Sequence, residues 1–411
     1  MIALFGRLID GRGNAPVENG ALVIDGDKIA YSGEAAGAVY PEGTEVISVG
    51  AGTILPGFID QHLHFGMGAV DLTRVYMRDD IQKAMLAVNE MGVLLNAGFT
   101  SVREAGGIST SFQEPLREGW VKGPRIISAG KFIVQTGGHA DFIQRFPIEF
   151  TKQRISHTRI ADGVDDCRRA AREQFRSGAR FLKIMTSGGI TSQGDGNRES
   201  QFSLEEIRTI VEETQLHDTY VSAHAQGTAG IKNALLGGVK SIEHGMFMDD
   251  ECIELMLKND AWLIPTFTII DCYLKNTHRL PPWIVDKLMA SRDEHLISAK
   301  RCFAAGVTIG FGSDLTNDPD ICPFGVNGRE FRLLTEIGLS PMQAIIAGTR
   351  TGAEVIGMGD KLGTLERGKL ADVAVCAGNP LTDIALLEDP DNITLVIKDG
   401  RIEKRISQGD T

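Results

Sequence analysis

The chain has 411 residues and a formal charge of −12, from 42 Lys+Arg against 54 Asp+Glu, which disfavours a nucleic-acid or anionic-membrane partner because either needs a clustered basic face. With 42% hydrophobic and 23% charged residues it is globular and long enough for one large domain plus a small one, while 48 glycines exceed the usual share and demand tight turns or close backbone approach. Six cysteines without a C-x-x-C pair argue against a disulfide scaffold or zinc ribbon, and the chain start lacks the pattern of a signal peptide, so reduced thiols and a cytoplasmic location are expected.

Residues 1–53 read as short alternating strands broken by turns, as in Ala21–Asp25, the Asp25-Gly26 turn, and Lys28–Ala30. Residues 360–411 repeat the pattern, with Lys369–Val375, Ile393–Lys398 and the Asp399-Gly400 turn. Both ends together are expected to build one small β-sandwich domain. Residues 54–359 alternate buried-strand runs with helical stretches, the mark of βα units. The strand runs are Ile54–Asp60, Thr100–Arg103, Arg125–Ala129, Phe181–Met185, Tyr220–His224, Ser241–His244, Trp262–Thr266 and Val307–Gly312. Helices are expected over Asp162–Ser177 and from Ser203, where Ser203-Leu204-Glu205-Glu206 has capping-box spacing. The fold class is therefore α/β, a (β/α)8 TIM-like barrel. A doubly wound open sheet is the alternative, but no Gly-x-Gly-x-x-Gly follows the first strand.

In such a barrel the C-terminal strand ends face the active site, so polar residues closing apolar strands carry the chemistry. Strand one ends in His62-Leu63-His64, with both rings on one face; strand four holds Lys183, strand five ends in His224, strand six in His244, and strand eight runs into Ser313-Asp314. Four of the chain's nine histidines thus fall at strand ends beside a carboxylate, a set suited to zinc. Lysine fits only as a neutral amine, which can capture carbon dioxide as a carbamate able to bridge two ions.

These residues resemble the amidohydrolase superfamily, in its imidazolonepropionase-like or Xaa-Pro dipeptidase (prolidase)-like branch. The resemblance runs through Pro56-Gly57-Phe58-Ile59-Asp60-x-His62-x-His64, Gly98–Arg103, Thr136-Gly137-Gly138-His139-Ala140-Asp141 and Lys183-Ile184-Met185-x-Ser187-Gly188-Gly189. It continues through His224-Ala225, Ile242-Glu243-His244-Gly245, Gly310–Asp314, Gly368–Asp372 and Gly378-Asn379-Pro380. It implies a TIM-like barrel flanked by a β-sandwich. It also implies two zinc ions, other divalent metals being possible, with His62, His64 and Asp314 at one, His224 and His244 at the other, and N6-carboxylysine at Lys183 bridging them with a hydroxide. Asp314 then moves the proton to the leaving amine, and His139 donates to the carbonyl or tetrahedral oxyanion.

The residue two beyond the strand-five histidine, which holds the substrate carboxylate in the resembling dipeptidases, is here the uncharged Gln226; Arg198, in the polar stretch after strand four, is the cation that would share that task. The expected activity is hydrolysis of a small amide or dipeptide, a peptide or N-acyl amino acid bond. The alternatives are hydrolysis of another cyclic amide, carbamate or aryl amide, or deamination or ring opening of a small heterocycle such as an imidazolone, as the imidazolonepropionase-like resemblance implies, and an inactive oligomeric scaffold. A homo-oligomer without nucleic-acid or membrane partners is expected.

Overall fold

The computed structural model describes residues 1–70, 74–75, 77–141, 147–149 and 157–406. Strands β1 (Ile2–Leu8), β2 (Val17–Asp25), β3 (Lys28–Glu34) and β4 (Glu45–Pro56) open the chain, β1 lying parallel to β4 and antiparallel to β2. At Gly57 the chain leaves this layer and enters the barrel.

Eight staves form the barrel wall: β5 (Phe58–Leu63), β6 (Phe99–Glu104), the stave β7 (Arg125–Ser128) with β8 (Phe132–Val134), β10 (Leu182–Met185), β11 (Val221–Ala225), β12 (Ser241–His244), β13 (Trp262–Ile264) and β14 (Thr308–Ile309). All paired neighbours are parallel. The wall closes where Gln61 N donates to Phe311 O at 2.9 Å and Leu63 bridges Leu315. The third stave bends at Ala129-Gly130-Lys131, so that β7 pairs with β6 while β8 pairs with β10 and with the extra strand β9 (Thr158–Ile160). Only three residues long, β9 has no alternation by which a sequence reading would find it.

Helices cover the wall. Leu204–Gln215 starts at Ser203 with both halves of the capping box formed, and Val164–Ser177 starts two residues later than its pattern predicts. Among the described residues no helix is long and apolar enough to cross a membrane, and all six cysteines are buried and unpaired.

Strands β15 (Val373–Cys376), β16 (Ile393–Lys398) and β17 (Arg401–Arg405) then return to the first layer, giving one seven-stranded sheet in the order β17-β16-β15-β4-β1-β2-β3. Asp399 and Gly400 both have positive φ, the conformation a type I′ hairpin requires. The sheet curls until its wings meet, Lys28 bridging Leu370 and Ala371 N donating to Asp27 O at 2.8 Å. Leu22, Ile24 and Ile29 from one wing therefore share a core with Val373, Leu395 and Ile397 from the other. One sheet thus makes a two-layered sandwich from both chain ends.

At the end of β6, Glu104 is wholly buried; Ser128 Oγ donates to its Oε2 at 3.2 Å and its Oε1 has no partner. Burial pushes its carboxyl from the ordinary 4.5 up to about 8. Between those values the folded state holds a proton that the unfolded chain has released, so stability falls as pH rises through that window. Glu104→Gln is expected to raise the midpoint of thermal unfolding over wild type more at about pH 9 than at about pH 5, read by circular dichroism.

Candidate metal centre

Parallel pairing sets neighbouring stave ends side by side: Met185 is in register with His224, and Ala225 with His244. The side chains of His62, His64, Lys183, His224, His244 and Asp314 consequently line one cavity at the C-terminal end of the barrel. Asp314 Oδ1 lies 3.1 Å from His64 Nε2 and 3.4 Å from His62 Nε2. One donor atom each from His62, His244 and Asp314 fall within 4.8 Å of one another. The His62 and His244 ring centroids are 5.2 Å apart, and those of His224 and His244 4.6 Å.

The backbone there is bent to deliver these groups. His244 (φ 71°), Thr266 (φ 57°) and Asp314 (φ 55°) all occupy the left-handed region, uncommon for residues other than glycine. Asp314 is held in it by its N–H, which donates to His62 O at 2.6 Å. Gly312 is required beside it, since a Cβ there would lie 2.8 Å from the Cβ of His62.

Each imidazole has an outer partner, and for three of them that partner settles which nitrogen carries the proton. His62 Nδ1 donates to Glu243 Oε2 at 2.6 Å, His64 Nδ1 to Gly106 O at 2.5 Å, and His224 Nε2 to Gly188 O at 3.2 Å; His244 Nδ1 meets Thr266 Oγ1 at 2.7 Å. The opposite ring nitrogens of His62, His64 and His224 are thereby left as lone-pair donors. Burial, reinforced by Lys183, lowers the pKa of His62 to about 4, and burial holds His224 and His244 well below their ordinary value. Burial would raise Asp314, but the facing imidazoles win and keep it an anion. Lys183 Nζ is buried without any hydrogen-bond partner, and burial lowers its pKa to about 8.

His139 follows β8 and also lines the cavity. Its ring stacks on His224 with centroids 4.1 Å apart, and its Nδ1 lies 2.8 Å from Ser192 Oγ, which donates in turn to Asp195. Gly189 backs the ring so closely that a Cβ there would sit 2.3 Å from its Cε1. Lys287 pins this loop from the helix Pro282–Ala305, donating to the carbonyls of Gly189, Ser192 and Asp195 at 2.8, 2.6 and 2.5 Å. Gln226 is buried in the cavity wall with its Oε1 unpartnered. Arg198 is not brought in: it is exposed, its guanidinium 3.8 Å above the ring of Phe247.

The amidohydrolase family model matches residues 53–402. The chain belongs to the amidohydrolase family. It is thus a hydrolase acting on amide carbon–nitrogen bonds. Ochratoxinase from Aspergillus niger is 34% identical over 97% of this chain and 85% of that protein. A prolidase solved with N-methylphosphonate-L-proline superposes with a TM-score of 0.92 at 34% identity, over 98% of this chain and all of that one. A Xaa-Pro dipeptidase with methionine in its active site gives 0.88 at 31% identity, over 98% and 99% of the two chains.

Amidohydrolases work with divalent metal ions, and the donor set here fits such ions on two observations. Neutral imidazoles and an ionised aspartate converge on one point, and an orphaned lysine amine is buried among them. Four further residues support the cavity, Arg103, Ser192, Glu243 and Lys287, to none of which the sequence alone assigns a role. Arg103 and Glu243 are charged residues in apolar staves, visible in the sequence as such; Ser192 and Lys287 carry no comparable signal. Purified, unchelated protein is expected to carry a divalent metal by plasma emission spectrometry, and Lys183→Ala to retain less than about half as much, because metal binding here depends on a complete ligand set.

Proposed function

We propose that the chain is a binuclear, zinc-dependent hydrolase of small amides, cleaving a peptide or N-acyl amino acid bond in the manner of a dipeptidase or carboxypeptidase. His62, His64 and Asp314 would hold one ion and His224 and His244 the other, with Lys183 as the N6-carboxylysine bridge. The observation that carries this reading is the unpartnered amine of Lys183, wholly buried amid four imidazoles and an aspartate. Left as an ammonium it would be a buried charge with no hydrogen-bond acceptor; as a neutral amine it is a nucleophile for carbon dioxide. Bound there, two divalent ions supply a nucleophile from water near neutral pH and polarise the amide carbonyl.

The chain's own groups do the rest. Asp314, an anion against His62 and His64, is placed to take a proton from the attacking water and pass it to the departing nitrogen. His139, steadied by Ser192 and by the ring of His224, would serve the carbonyl oxygen as an imidazolium, its Nδ1–H given to Ser192, with Asp195 behind it, and its Nε2–H given to the oxygen as charge develops. Gln226 offers a neutral amide to the substrate. Arg198, stacked on Phe247, is not among the residues that line the cavity.

A second reading, an aryl amide or cyclic amide substrate, is favoured by the remaining wall, which is largely apolar: Met67, Val70, Phe132, Met185, Met246 and Ile269. The complete ligand set speaks against an inactive scaffold, and the buried unpaired cysteines support a reducing, cytoplasmic setting.

A panel of dipeptides, N-acyl amino acids and aryl amides, read by released amine, tests the proposal. Metal-loaded protein is expected to cleave at least one class; no release from any would refute it. Asp314→Asn is expected to lower kcat about 10²–10⁴-fold, the range for a lost proton-transfer group, with assembly unchanged by light scattering. His139→Gln is expected to lower kcat by about 10²–10³, the range for one lost oxyanion donor.

A further inference from the structure

The imidazoles of the two metal positions are backed by unlike groups. At the position of His62, His64 and Asp314, His64 rests on the Gly106 carbonyl at 2.5 Å but His62 rests on a carboxylate, Glu243, at 2.6 Å. At the position of His224 and His244 the backing groups are neutral: the Gly188 carbonyl at 3.2 Å and the Thr266 hydroxyl at 2.7 Å. Glu243 is wholly buried and fully satisfied. Arg103 reaches its Oε1 at 2.7 Å and its Oε2 at 2.8 Å, and Ser222 and Ser241 donate to Oε1 at 2.7 and 2.6 Å. Arg103 is equally fixed, through Nε to Gln61 O at 2.5 Å and Nη1 to Ser241 Oγ at 2.9 Å. The carboxylate can neither swing away from His62 nor be hydrated.

The geometry points to unequal metal positions: Glu243, anchored by Arg103, is a positioning residue that makes the His62/His64/Asp314 position the tighter one, while the His224/His244 position is weaker and exchangeable. This rests on the binuclear reading above, within which it ranks the two ions. The physical cause is twofold. A carboxylate at Nδ1–H makes the imidazole a stronger donor through Nε2 and locks its ring, and outer carboxylates of this kind are worth about 10–100-fold in metal affinity. The first position also includes a carboxylate side chain, Asp314, whereas the second has only imidazoles apart from the shared bridge.

The test is titration of full-length protein, stripped of metal by chelation and dialysis, with cobalt(II) chloride followed by visible absorption. Wild type is expected to fill in two steps separated by at least about tenfold. Glu243→Gln is expected to weaken the tight step by about 10–100-fold and the weak step by less than about threefold. Thr266→Val, which removes the hydroxyl on His244 and leaves the bonds between Arg103 and Glu243 in place, supplies an arm that does not depend on Glu243→Gln folding, which circular dichroism checks: it is expected to weaken the second step and spare the first. Equal filling in wild type, an unmoved tight step in folded Glu243→Gln, or a Thr266→Val effect on the tight step would overturn the ranking. Amide hydrolysis assayed alongside separates the two ideas, since two-step filling without any hydrolysis would sink the hydrolase reading and leave the ranking standing.

Discussion

A buried ion pair runs through the centre of this barrel, and the site is built on it. Arg103 and Glu243 are both fully inaccessible to solvent, and together they join β5, β6, β11 and β12 through Gln61, Ser222 and Ser241. Such a pair is not a source of net stability by itself, because desolvating two charges costs several kcal/mol per ion and the attraction returns that only with every donor and acceptor matched. Here they are matched. What the pair contributes is specificity of arrangement: an anion at the floor of the cavity that sets which nitrogen of His62 carries the proton and which is turned toward His64 and Asp314.

Above that floor the stave ends are forced into uncommon backbone conformations, and local hydrogen bonds hold them there. His244, Thr266 and Asp314 share the left-handed region. Each is bonded to a neighbour in the site, Asp314 through its backbone to His62 and the other two through their side chains to one another. The rigidity of the wall makes this possible. Parallel strands tied on both sides leave few alternative positions, so the strain is retained rather than relaxed, as is common where a site must be organised before its ligand arrives. The loop carrying Ser192 and Asp195 is fixed differently, by one ammonium from a distant helix bonded to three carbonyls.

Much of the centre was legible because its chemistry contradicts its surroundings. A histidine or lysine closing an apolar run is out of place by composition, and His62, His64, Lys183, His224 and His244 all announce themselves in this way. Asp314 follows a glycine-rich strand end and is found by the same rule. The Asp399-Gly400 turn and the Ser203 capping box were equally readable, since both are local devices whose partners lie within four residues. Gln226, singled out by its offset from His224, does reach the cavity wall, whereas Arg198, on a loop with no period to orient it, turns outward onto Phe247.

By itself the sequence determined the α/β alternation, the two β-rich ends and the identity of the polar residues at the stave ends, because these follow from local periodicity and from where polarity interrupts it. Tertiary structure alone decided the pairing of those groups. That Glu243 faces His62 across 181 positions, that Arg103 reaches Glu243 across 140, and that Lys287 grips a loop 92 to 98 residues away are products of barrel closure. Closure is a long-range event whose geometry is set by strand register and helix packing together, and no local pattern encodes it. The sequence names the groups that can hold a metal, and the closed barrel decides which of them are held, and by what.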